Sequence, residues 1–365
     1  MSTRFSLFLL GLLFLLLSTC NKSLQDLSAK KPANNIILLI GDGMGLTQVS
    51  TAYYYGEQTP SFSTFKYIGL HQNEPTDKKI TDSASGATAF STGYKSYNAA
   101  IGVDQDTIAR ETILEWAAKN SKSTGLVATS SITHATPASF FAHVANRNFH
   151  EEIAADFIKA PVDFAAGGGY RYFNQRADEQ NLLTRLEDQG VKVDTNALRE
   201  DLVFGTRYAF LLGPDSLHSI RGGRGDFLPS ATRTALNYLN QDKDGFFLMV
   251  EGSQIDWAGH NNDAEYLIDE VLDFDKAVAV ALDFAKKEGN TLVIVTADHE
   301  TGGLSLSSQK VFGVSDYGII NPTFSTGGHS ASLIPVFAYG PGAEQFMGIY
   351  QNNDIFTKMM NCFSK

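Results

Sequence analysis

Short apolar runs with β-branched residues recur along the chain at Ile36–Ile40, Gly125–Thr129, Val162–Ala166, Tyr208–Leu212, Phe246–Val250, Thr291–Thr296 and Pro335–Tyr339. Runs of this length read as buried strands. Helical stretches lie between them. The clearest is Ala264–Lys287, where Ile268, Val271, Leu272, Asp275 and Val278 keep a helical rhythm and the opposite face is acidic. Gly289 and Asn290 mark its end. This alternation predicts an α/β fold, a three-layer α/β/α sandwich around a large, mostly parallel sheet. In such sheets ligands bind outside the carboxyl ends of the strands.

The N-terminal pattern is different. Arg4 precedes an apolar run from Phe5 to Leu17, broken only by Ser6 and Gly11. It is too short to span a bilayer comfortably and predicts a signal peptide over residues 1–19. Leu17-Ser18-Thr19-Cys20 resembles a bacterial lipobox, so Cys20 is the expected lipidated N-terminus. Residues 20–33 read as a polar tether and 34–365 as one catalytic domain. The expected location is outside the cytoplasm, in the periplasm or as an outer-membrane lipoprotein, with membrane contact only through the lipid. Composition narrows the function. The 365 residues are 43% hydrophobic, enough for a large core, and the net charge of −11 argues against a non-specific nucleic-acid binder. With only Cys20 and Cys362, neither a disulfide scaffold nor a Cys-ligated zinc module is available.

Polar residues then gather where strands end. Ile36–Ile40 runs into Gly41-Asp42-Gly43, and Phe246–Val250 into Glu251-Gly252, followed by Asp256 and His260. Thr291–Thr296 runs into Ala297-Asp298-His299, and Gly327-Gly328-His329 precedes the last strand. One acid alone would read as a helix cap, and one histidine as a packed residue. Acids and imidazoles at successive strand ends point instead to cations, because buried carboxylates repel one another without them. Imidazole with carboxylate, and no thiolate, suits catalytic zinc. Asp256 and His260 are four apart, so one helical turn can aim both at one ion. The adjacent Asp298 and His299 require a bend at the strand end.

Thr81-Asp82-Ser83-Ala84-Ser85-Gly86-Ala87-Thr88-Ala89 reads as a loop entering a helix. Ser83 falls near the helix N-terminus, where free N–H groups favour an anion. Alone it would read as an N-cap serine. Beside cations it becomes a candidate nucleophile that needs no histidine base.

These residues together resemble the alkaline phosphatase family. The match runs from Ile36 to about Tyr339 through seven motifs in order: Asn35–Gly45, Thr81–Ala84 with Ala87–Gly93, His134–Pro137 with Ala142–Arg147, Glu251-Gly252 with Asp256 and His260, Thr296–His299 and Gly327–His329 among them. The resemblance implies two Zn2+ and one Mg2+ per chain. Asp256, His260 and His329 would hold one zinc. Asp42, Asp298 and His299 would hold the other, beside Ser83. Asp42, Thr136 and Glu251 would hold magnesium. It also implies phosphate monoester hydrolysis through a phosphoserine on Ser83, with Arg147 clamping phosphate oxygens, and a homodimer.

His134 and Trp257 stand where Asp and Lys are common in the bacterial pattern, so third-site magnesium affinity and product release are expected to differ here. They are expected outside the direct ligands. His71, His143, His150 and His218 read as structural. Arg221-Gly222-Gly223-Arg224-Gly225 reads as a surface loop, and Gly167-Gly168-Gly169 as a tight turn. The stretch between His299 and His329 is compact, which suggests an open site. Two alternatives stay open: a related superfamily phosphodiesterase or sulfatase, and a non-catalytic phosphate-binding lipoprotein.

Overall fold

The protein is described from a computed structural model, which covers residues 32–363. The signal-peptide and Cys20 expectations lie outside the described residues. Ala33 is fully buried and bridges to Phe363, so the packed domain already includes the last residue assigned to the tether.

In chain order the strands are β1 (Asn35–Gly41), β2 (Tyr67–Gln72), β3 (Ser123–Ser131), β4 (Phe164–Gly168), β5 (Lys192–Asp194), β6 (Tyr208–Leu211), β7 (Phe246–Gly252) and β8 (Thr291–Thr296). Four strands, β9 (Glu300–Thr301), β10 (Leu304–Val311), β11 (Val314–Phe324) and β12 (His329–Ser330), form two small sheets. The chain then returns as β13 (Ile334–Tyr339) and β14 (Gly348–Gln351). The main sheet has ten strands in the order β14-β2-β13-β8-β1-β7-β3-β4-β6-β5. Of its strands only β13 runs antiparallel to its neighbours.

β1 shows why the sheet is buried on both faces. Ile36, Leu38 and Ile40 pack with Phe90, Phe140 and Phe247 on one side. Ile37 and Leu39 belong with Leu236, Val271 and Phe274 to the core on the other. Alternate side chains of a strand point to opposite faces, so an all-apolar strand needs a cover on each. Helices supply both covers, as a three-layer sandwich requires.

The long helix spans Ala264–Glu288, capped by Asp263, which accepts from Tyr266 N, and closed by Gly289 at φ +72°. Val271 and Val278 are buried as the rhythm predicts, while Ile268 and Leu272 are half-exposed. The acidic face is not wholly outside. Glu270 and Asp273 have side chains only 2% exposed, and each pairs with Arg224, itself 2% exposed. The Gly/Arg segment is therefore not simply a surface loop. Charge pattern marks a residue as polar but cannot show that a guanidinium folds over to meet it. The turn after β4 is as expected, with Gly169 at φ +100°.

Between His299 and His329 the chain makes the antiparallel hairpin β10–β11, with Phe312 fully exposed at its tip. No described helix is long and apolar enough to cross a membrane.

Candidate active site

The strands that carry the candidate ligands are neighbours. β8, β1, β7 and β3 lie side by side in the middle of the sheet, and their carboxyl ends open on one place. Asp42 follows β1, and its N–H donates to Gly252 O at 3.2 Å, which sets it beside Glu251. His134 and Thr136 follow β3. A bend at Asp298 after β8 turns both Asp298 and His299 inward. Asp256 and His260 share the helix Gln254–His260, with His260 Nε2 3.4 Å from Asp256 Oδ1. His329 in β12 comes within 3.5 Å of the same oxygen.

Among the described residues, three groups have potential ligand atoms within 4.8 Å of one another: Asp256-His260-His329, Asp42-Asp256-His299 and Asp42-His134-Glu251. Asp298 joins the second, its Oδ2 lying 3.2 Å from His299 Nε2. The tertiary structure thus brings together Asp42, Glu251, Asp256, His260, Asp298, His299 and His329. It also moves His134, which faces Asp42 and Glu251 directly instead of standing behind them.

The donors fit cations. His260 Nδ1 lies 2.7 Å from Gly327 O and His329 Nδ1 2.8 Å from Thr81 O. A carbonyl only accepts, so each Nδ1 carries a proton and each Nε2 in the neutral rings is a bare lone pair. Those two Nε2 atoms are 3.1 Å apart and both face Asp256. Two such nitrogens cannot face each other and a carboxylate uncompensated, so a proton or a metal cation must lie among them. Buried Asp42 Oδ2, His134 Nδ1, Thr136 Oγ1, Glu251 Oε1 and Asp298 Oδ2 also lack any hydrogen-bond partner. Unpaired buried polar atoms are costly, and here they cluster where ligands are needed.

Electrostatics agree. Burial, then the charges of Asp298 and Asp256, raises Asp42 well above the usual carboxylate range. Burial lifts Glu251 to about 7, and burial with Asp256 lifts Asp298 to about 6. Burial also lowers His299 well below its ordinary value, followed by the nearby His329. Burial, then Arg147, holds His134 at about 3, so its ring is neutral. Conversely, the hydrogen bond to Asp256 raises His260 to about 9. Sealed carboxylates either keep protons or exchange them for metal.

Ser83 begins the helix Ser83–Thr92. Its Oγ is 3.3 Å from His299 Nε2 and 3.5 Å from Asp42 Oδ1. It is not the cap. Asp82 is, accepting from Ser85 N at 3.0 Å, which leaves the serine hydroxyl uncommitted to the helix. Gly86 lets this helix approach, since a Cβ there would meet Asp298 Cβ at 2.9 Å.

Sequence reasoning missed the residues that hold others in place. Asp82 Oδ2 receives Arg147 Nη1 at 3.1 Å, and Arg147 Nη2 reaches His134 Nε2 at 3.3 Å. Ser130 donates to Glu251 at 3.1 Å. Thr301 touches both Asp256 and His299. Asp82 carried a signal, an Asp ahead of an Ala-rich helical run. Thr301 carried none. Trp257 lies edge-on to His134, ring centroids 6.0 Å apart. The four remaining histidines fit structural readings: His71 is buried against Ala297 O, His143 joins Gly102 O to Glu115, and His150 stacks on Tyr172. His218 belongs to none of the three ligand groups.

The Alkaline phosphatase sequence profile matches residues 33–318. The chain belongs to the alkaline phosphatase family. It is 34% identical to alkaline phosphatase 3 of Bacillus subtilis, over 93% of this chain and 92% of that relative. It is 32% identical to alkaline phosphatase of Escherichia coli K12, over 92% and 87% respectively. Among solved structures, the alkaline phosphatase from the Antarctic bacterium TAB5 superposes with a TM-score of 0.90 at 51% identity. That match covers 92% of this chain and all of the other.

Proposed function

We propose that the chain hydrolyses phosphate monoesters through Ser83, in a site holding two zinc ions and one magnesium ion. The observation that carries this reading is the placement of Ser83 Oγ, at a helix start, 3.3 Å from His299 Nε2 and 3.5 Å from Asp42 Oδ1. Asp256, His260 and His329 would hold one zinc, and Asp42, Asp298 and His299 the other. Asp42, Thr136 and Glu251 would hold magnesium, with His134 at its edge. Nitrogen-rich donors suit zinc and the oxygen set suits magnesium. In TAB5 alkaline phosphatase variants with a histidine replaced by aspartate or glutamate, magnesium is bound in the M3 site. When bound, the zinc pair supplies Lewis-acid stabilisation of the oxygens that enter and leave phosphorus.

The chain's own residues supply the rest. Ser83 Oγ attacks phosphorus while the bond to the alcohol oxygen breaks, and the serine proton ends on the alcohol released. Water then cleaves the phosphoserine to inorganic phosphate and restores the hydroxyl. The N–H groups at the start of Ser83–Thr92 that the Asp82 cap leaves free would receive the phosphoryl oxygens. Arg147, steered by Asp82 and His134, presents its remaining donors to two non-bridging oxygens. A diester has one of those oxygens blocked, so the monoester is preferred.

We further propose export, lipidation at Cys20, a catalytic domain that begins at Ala33, and a homodimer. The helix Leu46–Tyr55, directly after the Asp42 turn, leaves Leu46, Tyr53 and Tyr54 at least 49% exposed, an apolar face that a second copy would cover.

The test is metal analysis with hydrolysis of a chromogenic monoester and diester, on wild type and Ser83→Ala. Two zinc and one magnesium, monoester preferred, and activity lost with metals retained in the variant are expected. Metals with no monoesterase activity would overturn the reading in favour of a diesterase, a sulfatase or a binding protein.

A further inference from the structure

We propose that Thr301 is a positioning residue whose hydroxyl couples the two zinc sites and selects the nitrogen of His299 that binds metal. The inference rests on the two-zinc reading above. Thr301 Oγ1 lies 2.5 Å from Asp256 Oδ1 and 3.1 Å from His299 Nδ1. The Asp256 carboxylate only accepts, so the hydroxyl proton points to it. The hydroxyl oxygen must then accept from His299, which places a proton on Nδ1. His299 Nε2 is thereby left bare, facing Asp298 Oδ2 at 3.2 Å, Ser83 Oγ at 3.3 Å and Asp42 Oδ1 at 3.5 Å. One hydroxyl orients a ligand of each zinc.

The hydroxyl has little freedom to do anything else. Thr301 is fully buried. Its N–H donates to Gly43 O at 3.1 Å, and its carbonyl accepts from Gln48 Nε2 at 2.9 Å. Its methyl fills the space beside Gly259, where an added Cβ would meet it at 3.0 Å. On the other side a Cβ on Gly43 would come within 2.8 Å of both Thr301 Oγ1 and Asp256 Cα. Gly43 has φ +74°, so the turn after β1 needs glycine twice over, for its backbone and for this contact. Partners that fix ligand tautomer and orientation typically carry about 10–100-fold in metal affinity.

Thr301→Val keeps the shape and removes the hydroxyl, and Thr301→Ser keeps the hydroxyl. Each is stripped of metal and titrated with zinc against a chromophoric chelator, and its cobalt(II) absorption spectrum is recorded. Thr301→Val is expected to bind zinc about 10–100-fold more weakly, with an altered cobalt spectrum. Thr301→Ser is expected to stay within about threefold of wild type. Wild-type zinc affinity and an unchanged spectrum in Thr301→Val would overturn the inference and leave the two-zinc reading intact. Wild type that takes up no zinc would overturn both. If Thr301→Val does not fold, nitrogen-15 NMR of histidine-labelled wild type with zinc decides the matter. Zinc on Nε2 of His299 with a proton on Nδ1 supports the assignment, and zinc on Nδ1 refutes it.

Discussion

Replacing Arg224 with leucine removes a cation from between two buried acids. The guanidinium pairs with Glu270 and lies 2.9 Å from Asp273, and all three side chains are 2% exposed. It also donates to His218 O at 3.0 Å, and Glu270 accepts from Ile220 N at 2.8 Å. The triad thus pins residues 218–224 against the long helix. Gln254, at the start of the helix that carries Asp256 and His260, donates to Leu217 O at 2.9 Å in the same segment. Breaking a buried pair by removing one partner costs about 3–5 kcal/mol. At about 2 °C per kcal/mol for a domain of this size, the melting temperature should fall by about 6–10 °C at pH 8. The loss should depend on pH with a definite sign. Burial already raises Glu270 and Asp273 above their ordinary values despite Arg224 beside them. Without Arg224 they rise further, and a group raised on folding costs stability as pH climbs through its folded value. The deficit of Arg224→Leu against wild type should therefore shrink as pH falls toward the ordinary carboxylate range. Calorimetry of both proteins at pH 5, 6.5 and 8, with zinc held in excess, reads this directly. Adding Glu270→Gln and Asp273→Leu should recover most of the loss, since a neutral apolar cluster can replace a buried ion group. A deficit under about 2 °C at pH 8, or one that does not change with pH, would refute the reasoning.

His134→Asp adds an oxygen donor and a negative charge beside Asp42 and Glu251, in place of a ring held neutral, and should tighten magnesium about tenfold or more. A magnesium titration giving the wild-type affinity would count against it. Trp257→Lys puts a cation next to that position and should slow phosphate release, seen as stronger product inhibition. The His143–Glu115 pair, 3.0 Å apart, gives a second pH signature. Burial alone would lower His143, but its bonds to Glu115 and Gly102 O raise it, and the same contact lowers Glu115 against its own burial. The histidine contribution is full below its unfolded value and is lost as pH rises through the raised one. The glutamate contribution is lost only as pH falls through the lowered one. His143→Phe should thus lose about 1 kcal/mol at pH 6 and less at pH 9, with thermal melts at both pH values as the check.

How much of the site was readable follows from what each residue needs. Asp42, Asp298 and His299 sit at ends of apolar runs, and a strand end is visible in one dimension. Asp256 and His260 are one helical turn apart, and that spacing is local too. Ser83 was legible as a helix start but not as free of the cap, because Asp82 could have left the role to either. The strands missed were β2, β5 and β14, the β10–β11 hairpin, and the two-residue strands β9 and β12. β14 and β5 are the two edge strands of the main sheet and β2 lies next to β14, and all three are partly exposed, so they need fewer apolar residues.

By itself the sequence determined the covered parallel sheet, because runs apolar on both alternating faces cannot be stable unless each face is packed. It determined which donor groups are available as well, since residue type alone sets that. Only the tertiary structure decided that Arg224 lies between Glu270 and Asp273, that His134 faces the oxygen donors, and that Thr301 joins Asp256 to His299. Asp256 and Thr301 are 45 positions apart, and Arg224 and Glu270 are 46. No periodicity spans such distances. They are fixed by which strands pair and by how closely glycines such as Gly43 let the chain approach.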